Sequence, residues 1–358
     1  MRITEFAGLV ERLFNDSKHT EMTLLALGPA GIGKTQVPTE YAERSGWGCE
    51  AVCMPLVNPT FLMGYPYREN GHADHAPFGA LNRLLLAEKP TVGILDDLGG
   101  ASGETCKAAL RLLQFREVGG KRLPECVRLI ALSNDIGHGM TIEGLVEPMK
   151  DRFVSIVNVE PSVEDTVGYG LSRGWPAWEL AYLRNNPDAL HDCKPLKSMQ
   201  RSGATPRGWE GVARLDAGGY LDLGIGSELM AGAVGKGQAA AAMAFRGLIA
   251  ELPDVDAVLI DPDNAPVPAN PSAKWLVAMA LATKLNGSNF GQAVAYLKRL
   301  PAMFRAFSIR DAIKAENLRK KDGRTAPGHV PIHASRDFTA WVNSDDGKDI
   351  LGAARESA

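Results

Sequence analysis

What this sequence lacks narrows it first. No stretch approaches the ~18 consecutive apolar residues that a membrane-spanning helix needs. The opening segment MRITEFAGLVERLF carries acidic residues inside its apolar pattern, so it does not read as a secretory signal. Cysteine is scarce: Cys49, Cys53, Cys106, Cys126 and Cys193 are an odd set of five without a CxxC pair. That argues against a disulfide framework or a thiolate metal site, and the expectation is reduced, mostly buried thiols in a cytoplasmic protein. An excess of either charge is also missing. The 39 Lys+Arg and 42 Asp+Glu residues leave a formal charge of −3, so no global field draws the chain towards nucleic acid or an anionic membrane. His72 and His75 in GHADHA lack a neighbouring cysteine or third histidine and read as exposed loop side chains, not as metal ligands. No internal repeat is visible.

What is present is ordinary for a globular protein: 45% hydrophobic and 23% charged residues over 358 positions, enough for two or three units. Ile3, Phe6, Val10, Leu13 and Phe14 recur at helical spacing. Short strand-like runs follow at 22–27, 50–56, 91–98, 127–134 and 154–160, most of them separated by helical stretches such as 35–45 and 103–117. Apolar strands alternating with helices predict an α/β domain with a parallel sheet covered on both faces, ending near Glu160. Beyond it the signals turn helical, at 162–174, 176–185, 205–218 and an alanine-rich stretch around 227–251. A loop dense in proline and asparagine, 261–273, separates these from the helical segments KWLVAMALATKLNG, NFGQAVAYLKRLPAMFRAF and SIRDAIKAENLRKK and a polar tail. The expected organisation is an α/β core over 1–160, a helical region over 161–250 and a C-terminal helical region over 251–358.

The nucleotide expectation rests on GPAGIGKT, Gly28 to Thr35, which satisfies GxxxxGK[ST] between a strand and a helix. Gly28, Gly31 and Gly33 let backbone N–H groups wrap phosphate oxygens, with Pro29, Ala30 and Ile32 completing the loop. In such a loop Lys34 reaches the β- and γ-phosphates of ATP and the Thr35 hydroxyl ligates Mg²⁺. Pro38 removes one hydrogen bond early in the following helix, where first-turn N–H groups lack partners anyway. The adjacent acids Asp96 and Asp97 in ILDDLGG repel each other at a strand end. A dication resolves that repulsion: Asp96 would hold Mg²⁺ while Asp97 faces the γ-phosphate and polarises the attacking water.

With these motifs the chain resembles the AAA+ ATPases, specifically the MoxR-like and dynein-related branch, over about residues 1–250. GPAGIGKT and ILDDL match its Walker A and B segments, and LIALSND is similar to sensor 1, with Asn134 orienting the water. LVEPMKDRF resembles the segment bearing the arginine finger, here Arg152, and GATPRGW the sensor 2 motif, with Arg207 touching nucleotide. Residues 58–81 resemble the segment where the family carries pore-facing insertions, and LKRLPAMFRAFSIRDA is loosely similar to MoxR-type C-terminal helices. The resemblance implies a P-loop NTPase (AAA+) core with a five-stranded parallel sheet, followed by an all-helical lid and a C-terminal helical domain. It also implies an ATP- and Mg²⁺-dependent ring oligomer, a hexamer, with chaperone-like remodelling of a protein client, often through a von Willebrand A-domain adaptor.

The chain departs from that pattern at Asp97, where the family carries glutamate. Aspartate is shorter by about 1.5 Å, and about 1 Å of misplacement can cost ~100-fold in rate. Three outcomes follow: slow hydrolysis, a local shift that restores reach, or a weakly hydrolysing nucleotide switch. Sensor and finger residues would be pointless in a dead site, so a competent, slow ATPase is the expectation. The alternative to the protein remodeller is a DNA-acting relative of loaders or helicases. Residues 298–324 carry nine basic side chains (Lys298, Arg299, Arg305, Arg310, Lys314, Arg319, Lys320, Lys321, Arg324) against three acids (Asp311, Glu316, Asp322), a local net of +6.

Overall fold

The computed structural model describes residues 1–69, 72–134, 147–192 and 203–356. It divides into two compact units, the first formed by Met1–Pro161, the second by the described residues from Ser162 onward.

The first unit is an α/β fold around a five-stranded sheet. Its strands are β1 (Leu24–Gly28), β2 (Gly48–Cys53), β3 (Thr91–Asp96), β4 (Val127–Asn134) and β5 (Ser155–Asn158). They run parallel in the order β2–β3–β4–β1–β5. Alternation along the strands feeds two cores, as the two-residue period of a pleated strand requires. Leu25, Leu95, Leu129 and Ala131 pack on one side with Cys106, Ala109 and Leu112 of the helix Gly103–Phe115. Leu24, Ala26, Ile94, Ile130 and Leu132 pack on the other with α1 (Ile3–Asn15) and α2 (Gln36–Ser45). Burial on both faces is why these strands read as near-continuous apolar runs. The expected helical stripe of α1 is realised by Phe6, Val10, Leu13 and Phe14, each worth about 1.5–3 kcal/mol when fully buried.

Between β2 and β3 the structure differs from a plain loop. Tyr65–Glu69 pairs antiparallel with His72–Ala76, and His72 and His75 stand exposed on that hairpin.

In the second unit every regular element among the described residues is helical. One core joins residues from Val167 to Ile350, with Trp209, Phe290 and Tyr296 among its largest buried side chains. Three boundaries depart from expectation. The alanine-rich stretch is two helices, Gly226–Val234 and Lys236–Gly247, broken at Gly235, which has φ 84°. The break expected before Ser308 lies instead at Pro301, whose missing N–H suits a helix start. Ala302–Lys321 is then continuous, and Ser308 is buried within it, its hydroxyl donating to the Ala278 carbonyl at 2.8 Å. The polar tail forms the helices Arg336–Asn343 and Asp345–Glu356, anchored by Trp341 and Phe338 against Phe290.

Among the described residues no helix is long and apolar enough to cross a membrane.

Candidate functional site

Ligands in open parallel sheets bind beyond the carboxyl ends of the strands. At that end of β1, β3 and β4 the first unit gathers Lys34, Thr35, Asp96, Asp97 and Asn134 into one polar cluster.

The cluster starts from Gly28, the last residue of β1, in register with Asn134 at the tip of β4. A Cβ on Gly28 would lie 2.2 Å from the Val159 carbonyl oxygen, so only glycine fits there. The chain then turns through Pro29, Ala30, Gly31, Ile32 and Gly33. Ile32 is buried in the α1–α2 core and anchors the loop, and Gly33 adopts φ 98°, which disfavours side chains. Helix α2 begins at Gln36, immediately after Thr35. Pro38 falls in its first turn, and the flanking bonds Val37 N–H to Gly33 O (3.2 Å) and Thr39 N–H to Thr35 O (3.4 Å) are intact.

Lys34 is only 7% exposed. Its ammonium donates to the carbonyls of Gly28 (2.7 Å) and Pro29 (2.8 Å) and to Asn134 Oδ1 (3.2 Å). The Thr35 hydroxyl donates to both Asp96 oxygens, at 3.1 and 3.2 Å. The Asn134 amide donates to Asp97 Oδ1 at 3.1 Å. Because β4 lies between β1 and β3, the one side chain at its tip touches both the loop lysine and the second acid.

Strand β3 ends at Asp96, and Asp97 leaves it in the left-handed region at φ 54°, ψ 45°. Asparagine and aspartate enter that region more readily than other residues with a side chain, because a short polar group can bond locally. The turn is tied at several points. Asp97 N–H donates to Asp96 Oδ1 (3.1 Å), Gly100 N–H to the Asp97 carbonyl (3.0 Å) and Gly99 N–H to Ser133 Oγ (3.1 Å). Burial raises the pKa of Asp97 above the usual aspartate value, and the neighbouring Asp96 charge adds to it. Lys34 and the bond from Asn134 act in the opposite direction.

The remaining expected site residues lie elsewhere. Arg152 precedes β5, whose first residue Ser155 pairs with Leu24 at the start of β1. It therefore sits at the sheet end opposite the cluster, with Nε donating to Gln114 Oε1 at 3.2 Å. Arg207 belongs to the second unit, exposed in the first turn of Pro206–Ala217, whose N-cap Thr205 accepts from Gly208 N–H at 3.0 Å. Glu210 is paired with Arg214 at 2.7 Å. Asp135, Leu145 and Val146 of the quoted motifs lie outside the described residues, as does Cys193.

The basic stretch 298–324 spends several of its charges internally. Arg299 donates to the carbonyls of Pro262 (2.6 Å) and Ala265 (2.7 Å), Arg305 pairs with Asp346, and Lys314 pairs with buried Asp165 at 2.6 Å. Arg310 and Lys321 are engaged as well. Lys298, Lys320, Lys321 and Arg324 stand exposed on the same stretch.

No three or more His, Cys, Asp or Glu side chains form a metal cluster among the described residues. A cation at this site would depend on the Thr35 hydroxyl and the Asp96 carboxylate. These are hard oxygen donors of the kind Mg²⁺ takes alongside phosphate and water. The residues present therefore fit that ion.

Sequence reasoning missed Ser133. It is 1% exposed and meets the Asp97 turn from the neighbouring strand. Its one signal was position, directly before Asn134.

No model of a known protein family matches this chain, and none of the curated proteins matches it.

Proposed function

We propose that the first unit binds MgATP at the Lys34 cluster and hydrolyses it. The observation carrying this is the convergence, at the carboxyl ends of β1, β3 and β4, of a buried lysine, a hydroxyl beside one carboxylate, and a second carboxylate held by an amide. A glycine loop leading into a helix N-terminus supplies N–H groups for phosphate. Lys34 would exchange its carbonyl partners for phosphate oxygens, replacing dipoles with full charges. Bound Mg²⁺, held by Thr35 and Asp96, would neutralise phosphate charge.

Asp97 accepts the proton of the attacking water as the new bond to the γ-phosphorus forms. The bond from that phosphorus to the bridging oxygen breaks, giving ADP and phosphate. Asn134 keeps the Asp97 carboxylate facing the site. Its bond favours the ionised, proton-accepting form, which burial and Asp96 oppose.

On this proposal the chain acts as an AAA+ ATPase of the MoxR-like type. Arg152, remote from the cluster in its own chain, completes a neighbour's site in a ring, a hexamer by resemblance. The ring would remodel a protein client, with a von Willebrand A-domain adaptor as the implied partner. Arg207 would report nucleotide to the second unit.

The test is Asp97→Asn. Its ATP turnover should fall at least ~100-fold, the scale for losing a positioned base, while affinity for ATP stays within about threefold. Unchanged turnover would overturn the assignment.

A further inference from the structure

We infer that Ser133 is a positioning residue for Asp97, and that the turn it latches is built for aspartate, not glutamate. The inference rests on the hydrolytic role proposed above for Asp97.

Asp97 is one of two residues other than glycine with positive φ among those described. Such backbone outliers persist only where their surroundings over-determine them, and they cluster at functional sites. Here the surroundings are specific. Gly99 and Ser133 are both buried, so the Gly99 N–H needs a partner, and Ser133 Oγ supplies it at 3.1 Å from the adjacent strand. The same hydroxyl donates to the Asn134 carbonyl at 3.2 Å. One side chain thus fixes the turn that carries Asp97 to the residue that holds Asp97. The carboxylate is gripped from two sides, through the backbone by Ser133 and directly by the Asn134 amide at 3.1 Å.

The shortness of Asp97 then has a physical reason. The left-handed turn re-aims the Cα–Cβ bond away from the strand direction, and a one-carbon stem ends within reach of Asn134. A glutamate would be less tolerated in that conformation and would carry its carboxylate about 1.5 Å too far. Lengthening the acid should therefore lose activity, although the resembled family uses glutamate at this position.

Three full-length variants test this: Ser133→Ala, Asp97→Glu and, as a control on the site itself, Asp97→Asn. For Ser133→Ala the expected result is a kcat lower by about 10- to 100-fold, since about 1 Å of drift costs up to that much. Affinity for ATP should stay within about threefold. A merely structural role would lower melting temperature while leaving the kcat of the folded protein near wild type. Asp97→Glu should lose turnover at least tenfold with ATP binding retained. Wild-type kcat in Ser133→Ala, or raised turnover in Asp97→Glu, would overturn the inference while leaving the ATPase proposal standing, provided Asp97→Asn is inactive. Full activity in Asp97→Asn would overturn both.

Discussion

At the scale of single residues, the site is a contest over the charge of Asp97. Burial and the Asp96 carboxylate push its pKa above the ordinary aspartate value, whereas Lys34 and the Asn134 amide oppose them. A base must be deprotonated to work, so turnover should fall as pH drops through that raised pKa. Replacing Asn134 with leucine removes one opposing influence. The acidic limb of the kcat profile should then shift further upward, and a limb that stays in place would remove Asn134 from the account. Much of this cluster was legible in the sequence, because glycine spacing, a lysine–threonine pair and an acid at a strand end are local patterns. Ser133 and the left-handed turn were not. A serine in an apolar strand has no periodic signature, and the backbone sign at Asp97 is set by bonds to a strand more than thirty positions away in sequence.

At the scale of elements, hydrophobic period decided most of the outcome, and single residues decided the boundaries. The three inner strands β3, β4 and β1 and the helix α1 follow their apolar patterns because each is buried in the two cores, whereas the edge strands β2 and β5 are largely unburied. Gly235 and Pro301 placed breaks that apolar composition alone did not, and the hairpin 65–76 alternates too weakly to announce itself. One element carries a hidden cost. Glu179, in the helix Ala177–Asn185, is fully buried with neither carboxyl oxygen hydrogen-bonded. Burial, reinforced by Asp216, raises its pKa well above the ordinary value of 4.5, and the nearby Arg246 is already paired with Asp216 and Asp222. A raised carboxyl pKa means the folded state holds the proton more tightly than the unfolded chain. The associated stability is present below about pH 4.5 and is lost as pH rises. Glu179→Gln should accordingly stabilise the protein at pH 7–8, by roughly 1–3 kcal/mol, and the gain should vanish near pH 4. Thermal melts across that range check this, and a pH-independent difference between the two proteins would contradict it.

At the scale of the whole molecule, the sequence announced a change of regime near residue 160, and the chain divides into a sheet-centred unit and a helical one between Pro161 and Ser162. Residues before and after 250 share a single core in the second unit, a long-range association that no local pattern encodes. Arg152 sits at the far end of the sheet from Lys34, so a role for it in hydrolysis requires a second copy. Arg152→Ala should lose about 10³-fold or more in turnover, and so should Lys34→Ala. Mixed together, the two inactive proteins should recover activity, because intact sites on one are completed by Arg152 of the other. A mixture as inactive as its parts would rule out that arrangement. The most direct test of the central claim is an equilibrium titration of the wild-type chain and Lys34→Ala with a fluorescent ATP analogue and Mg²⁺. The account predicts saturable binding by wild type, weakened about 10- to 100-fold by losing the buried charged donor. A wild-type chain that does not bind, or a variant that binds equally well, would contradict it.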